Sequence, residues 1–96
     1  MKQELIGITP IKKCNETINQ FMKTNGIDYF EDENALQKAV DFVRHLGFEF
    51  DIDDCQACIS CQSLEPTNIP AIADTTKEAT FLALDIFAKL KNNNHI

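Results

Sequence analysis

The stretch that most constrains the fold is residues 75–90, TTKEATFLALDIFAKL. Thr75 and Glu78 have the spacing of a capping box, which predicts a helix starting there. Ala79, Leu82, Ala83, Ile86, Phe87 and Leu90 make one apolar face, and Phe81, Leu84 and Ala88 fill the opposite side, so the helix is apolar nearly all round. Such a helix must be covered on both sides. Either it is the central helix of a bundle, or its second stripe, Phe81, Leu84 and Ala88, docks a partner protein or a second copy as a homodimer.

Ninety-six residues, 44% of them apolar, allow one domain with one core. Two further helices are predicted ahead of the last one. The first starts at Thr9-Pro10, with Thr9 as cap and Pro10 at the first helical position, and stops at Gly26. Its apolar stripe is Ile11, Cys14, Ile18, Phe21 and Met22. The second runs from Glu33 to Leu46, capped by Asp32 and closed by Gly47. FEFDI, residues 48–52, alternates like a half-buried strand, and LIGI, residues 5–8, is its candidate partner. Asp53 and Gln56 resemble a second capping box, which predicts a short helix through CQACISC ending before Pro66. TNIPAI, residues 67–72, reads as a linker, and residues 92–96 as a frayed tail. The expected fold is therefore mainly α: a single-domain bundle of three to four helices, with at most a two-stranded element from residues 5–8 and 48–52.

CQACISC places Cys55, Cys58 and Cys61 at three-residue intervals, a spacing suited to soft metal ions because a tight turn can aim several thiolates at one point. The spacing resembles the opening of the bacterial ferredoxin motif, in which the fourth cysteine would fall at Glu65 and the proline at Pro66. A zinc or iron-sulfur site closed by Cys14 or Glu65 is one expectation. The other is plain packing, since Cys55, Cys58 and Ile59 would share one face of a helix. Thiol redox chemistry or a disulfide is a third.

Residues 35–59, ALQKAVDFVRHLGFEFDIDDCQACI, also resemble the leader domains of some nitrogen-fixation-associated natural-product precursors, and their turn before an acidic helix is similar to that of acyl-carrier proteins. The leaders' double-glycine cleavage site and the carriers' Asp-Ser-Leu attachment motif are absent. Both resemblances imply a helix, a turn and a second helix over residues 35–64.

Charge is unevenly placed. The chain carries a net charge of -6, yet residues 28–65 hold ten acids against Lys38 and Arg44. A segment this negative repels phosphate backbones and attracts basic proteins, so direct nucleic-acid binding is disfavoured and a basic-surfaced partner is expected. Asp28, Glu31, Asp32, Glu33, Glu49, Asp51, Asp53 and Asp54, with the apolar Phe81 and Leu84, are the candidate partner-binding residues. They suggest a small inhibitor or regulator, of the immunity-protein or phage anti-defence kind. Asp51, Asp53 and Asp54 lack the loop glycine of a calcium site, no phosphate-binding glycine loop is present, and neither His45 nor His95 has a nucleophile beside it in sequence, so no catalytic residue is assigned. No apolar run approaches the roughly 20 residues of a membrane span and no export signal is visible, which points to a cytoplasmic protein with reduced thiols.

Overall fold

The computed structural model describes residues 5, 6, 9–61 and 67–93, with side chains described for residues 10–60 and 68–93. The elements follow the order β1 (Leu5–Ile6), β2 (Thr9–Pro10), α1 (Ile11–Met22), α2 (Glu33–His45), β3 (Glu49–Asp53), β4 (Gln56–Cys61), β5 (Thr67–Ile72) and α3 (Thr76–Asn92). The architecture is α+β, with three helices against a three-stranded antiparallel sheet of order β3-β4-β5.

This corrects the expectation of a helical bundle. Leu5 and Ile6 pair with Thr9 and Pro10 in a two-stranded ribbon of their own, whereas β3 pairs with β4, in the segment expected to be a third helix. The supposed linker TNIPAI is β5. Strand alternation explains the result. Ala57, Ile59, Ile69 and Ala71 are buried with Phe50, while Gln56, Asn68, Pro70 and Ile72 are exposed and Cys58 is half-buried. The buried residues share one face because the register pairs Phe50 with Ile59 and Ile59 with Ile69.

Both edges of the sheet are protected against further strands. On β3, Arg44 Nη2 donates to the Phe50 carbonyl at 2.8 Å, occupying a backbone acceptor that an added strand would need. On β5, Pro70 interrupts the row of backbone donors.

α3 is the central helix. It packs against α1 on one side and against β4 and β5 on another, while α2 lies beside β3. Phe81, Leu84 and Ala88 are consequently fully buried in the chain's own core, while Leu82 and Leu90 are half-buried and Ile86 is exposed. The stripe expected to receive a partner or a second copy is thus closed to both. Four ring contacts tie the layers together: Phe21 meets Phe42 and Phe87 with centroids 5.4 Å apart in each case, Phe48 meets Phe87 at 4.8 Å, and Phe30 meets Phe81 at 5.2 Å.

The caps follow the sequence closely in α2 and α3. Asp32 accepts from the Asn34 and Ala35 amides, and Thr75 accepts from the Glu78 amide while its hydroxyl donates to the Glu78 carboxylate at 3.0 Å. In α1 they differ. Pro10 itself occupies the cap position with no side-chain hydrogen bond, and the helix ends on Lys23 in the left-handed region rather than on Gly26. α3 continues through Asn92, further than the expected start of a tail, and residues 94–96 lie outside the described residues. No helix among the described residues is long and apolar enough to cross a membrane.

Candidate functional site

The ten predicted partner-binding residues divide by what the fold already asks of them. Asp28 is a structural hub, its Oδ1 accepting from Asn15 Nδ2 at 2.9 Å and from the Phe30 and Glu31 amides at 3.1 Å. Asp32 caps α2, and Glu33 lies in the first turn of that helix, where a carboxylate offsets the exposed backbone amides. Phe81 and Leu84 are core residues. These five have local reasons to be acidic or apolar that involve no partner.

Glu31, Glu49, Asp51, Asp53 and Asp54 remain, all exposed. Glu49, Asp51 and Asp53 alternate along β3, so their side chains project from the outer face of the sheet about 6.8 Å apart. Asp54 extends the row into the turn. Asp53 Oδ1 accepts from the Asp54 amide at 2.8 Å, and no ion pair among the described residues engages any of the four. Lys89 and Asp85 form the one ion pair there, at 3.1 Å and remote in sequence from the row.

The cysteines take three different environments. Cys55 sits at the tip of the β3-β4 hairpin with φ 54°, a left-handed conformation that costs a non-glycine residue about 1 kcal/mol or more. Contacts with the β5-α3 junction hold it there: its carbonyl accepts from the Ala73 amide at 3.1 Å, and its thiol donates to the Asp74 carbonyl at 3.2 Å. Because strain and contacts oppose each other, Cys55→Gly should change stability by no more than about 1 kcal/mol in a urea titration. A larger loss would show that the thiol contact outweighs the backbone strain.

Cys58 occupies the middle of the outer sheet face, in register with Asp51 and Pro70. Cys14 lies in the core on α1. Cys61 ends β4, with its side chain outside the described residues, as is all of Glu65. Among the described residues no group of three or more His, Cys, Asp or Glu side chains is arranged to hold a metal ion. The described part of the expected metal-binding set is therefore not brought together: Cys55 is at a hairpin tip, Cys58 on a sheet face and Cys14 on a different layer.

Cys14 has its own chemistry. Burial, followed by the neighbouring Asp85 carboxylate, pushes its thiol up from 9.0 to about 12, against a smaller opposing effect of Lys89. Asp85 is itself buried, and its Oδ1 has no hydrogen-bond partner among the described residues. The folded state therefore holds a proton that the unfolded chain releases near pH 9. Its stability contribution is complete below that pH and is lost as pH rises towards 12, at up to about 1.4 kcal/mol per pH unit. Urea midpoints taken at pH 8 and pH 10.5 should accordingly fall further apart in the wild type than in Cys14→Ala. An equal fall would remove the thiol from the alkaline response.

Sequence reasoning missed two side chains with large structural roles. Asn19 Nδ2 donates to the Asn15 and Ile27 carbonyls at 2.7 and 2.8 Å, while its Oδ1 accepts from the Ile27 amide and the Thr24 hydroxyl at 3.1 and 2.8 Å. Asn15 Oδ1 accepts from the Tyr29 amide at 2.8 Å. Together they lay the α1-α2 connection back along α1 and line an open groove of about 890 Å³. Their amides are occupied by the loop itself. Only the side-chain amides' position on the helix face towards the loop could have signalled this, and that face is not fixed by sequence alone.

No protein-family model, curated protein or solved structure matches the chain.

Proposed function

We propose that this protein is a small acidic binding module that acts by occupying a basic surface on another protein, as an inhibitor or regulator does. The supporting observation is the row Glu49, Asp51, Asp53, with Asp54 beyond it: exposed carboxylates that neither cap a helix nor join an ion pair among the described residues. Carboxylates held a short distance apart on a strand keep their mutual repulsion unless a cation arrives, so a basic partner gains from relieving it. The reading includes a cytoplasmic setting, in which Cys14, Cys55 and Cys58 stay as free thiols. It assigns no catalytic step to any residue.

The test is capture from a lysate with the wild type and with a variant carrying Glu49→Gln, Asp51→Asn and Asp53→Asn. These changes keep shape and remove charge. A basic protein retained by the wild type and lost by the variant, with the two forms melting alike, is the expected result. Equal retention by both forms would detach the row from binding.

A further inference from the structure

We propose that the outer face of the β3-β4-β5 sheet is the docking surface and that its occupant is a basic amphipathic helix of the partner, lying along the strands. The proposal rests on the acidic-module reading and specifies where and how such a module binds.

Three observations carry it. First, the helices of this chain pack on the other face of the sheet, where Phe50, Ile59 and Ile69 are buried. The outer face presents Glu49, Asp51 and Asp53 on β3, Gln56, half-buried Cys58 and buried Ser60 on β4, and Asn68, Pro70 and Ile72 on β5. Second, this face is divided by chemistry. Its β3 side is anionic, while its β5 side is uncharged, with apolar Pro70 and Ile72 beside Asn68, and Ile72, at 74%, is the most exposed large hydrophobic residue among the described residues. The two outer strands are about 9.6 Å apart, close to the 10 Å width of a helix. One helix can therefore set lysines or arginines over β3 and apolar side chains over Cys58, Pro70 and Ile72. Residues four apart on a helix rise about 6.0 Å, near the 6.8 Å spacing of the carboxylates, and the flexible reach of lysine absorbs the difference. Third, the edge-on alternative is obstructed: Arg44 occupies the Phe50 carbonyl on one edge and Pro70 breaks the donor row on the other. A partner must approach the face rather than extend the sheet.

The probe is a synthetic amphipathic peptide of about 15 residues built from lysine, leucine and alanine, with a glutamate-for-lysine version as control. Binding to the full chain is followed by backbone amide shifts and by the alkylation rate of Cys58. The lysine peptide should gain helicity, shift the backbone amides of residues 49–53, 56–60, 68, 69, 71 and 72, and slow Cys58 alkylation about fivefold or more at saturation. Asp51→Lys should weaken binding about tenfold and Ile72→Ser about threefold or more, while Glu16→Lys, an exposed acid on α1, should leave it nearly unchanged. The glutamate peptide should not bind.

Shifts centred away from the sheet, an unchanged Cys58 rate or an Ile72→Ser variant that binds like wild type would each overturn the proposal. If Asp51→Lys and Glu16→Lys weaken a salt-sensitive complex equally, the helix-on-sheet proposal fails while the broader acidic-module reading stands. If the lysine peptide fails to bind even at about 20 mM salt, where exposed charges are weakly screened, both fall.

Discussion

Truncating Leu84 or Phe81 to alanine will lower the stability of the fold by about 2–5 kcal/mol each. Both side chains are fully buried on α3, and Phe81 also loses its ring contact with Phe30. A domain of this size has about 5–15 kcal/mol in total, so either change removes a large fraction and lowers the melting temperature by about 10 °C or more. The result separates two roles of one stripe. An exposed docking stripe would tolerate alanine within about 0.5 kcal/mol and lose only partner affinity, whereas a central helix held between α1 and the sheet loses the fold. Urea denaturation of the isolated variants measures the difference directly.

Asn19→Leu will cost about 3–4 kcal/mol, more than a typical polar-to-apolar change of similar size. The amide serves both the N–H and the carbonyl of Ile27, as well as the Asn15 carbonyl and the Thr24 hydroxyl. Each such bond contributes about 1 kcal/mol net, and the part-buried backbone groups left behind add a desolvation cost. The loss is local in origin but wide in effect. Without the clamp the connection no longer brings Tyr29 against α1 or Asp32 into place as the α2 cap, so amide exchange should quicken across residues 24–36 before the rest of the chain. A variant with wild-type exchange there, and a stability change below about 1 kcal/mol, would show that the loop is held by Tyr29 and Asp28 instead.

What the sequence revealed follows the range of the interactions. The caps of α2 and α3 were legible because Asp32 and Thr75 act on amides two or three residues away, and the apolar arcs of those helices needed only a count along the chain. The strand at FEFDI was legible for the same reason. Its partner was not. Cysteines three apart fit a helical face as well as a metal motif, and cysteine counts as either polar or apolar, which hid the alternation of Gln56, Cys58 and Ser60 with Ala57 and Ile59. A mirror-image pair of alternating runs, FEFDID and QACISC, joined by Asp54-Cys55, was the available signal for a hairpin. It lacked the glycine that usually marks such a turn, because here a cysteine adopts the left-handed conformation. Pro70 likewise argued against a strand in TNIPAI, and an edge position is what permits it. The Asn19 clamp depends on a chain reversal that no local pattern encodes. As for the acidic residues, their number and segment were legible, but their division into helix caps, a loop hub and the free row on β3 required the register of the sheet.

If the β3 carboxylates steer a basic protein onto this chain, the rate of association must depend on salt through them. The rate constant for binding of the captured partner should be measured from about 20 to 200 mM salt for the wild type and for the Glu49→Gln, Asp51→Asn, Asp53→Asn variant. Wild-type association should slow about tenfold or more over that range, and the variant should associate more slowly at low salt with a much flatter dependence. Parallel salt dependences for the two proteins, or a wild-type rate indifferent to salt, would mean that the row does not steer a partner.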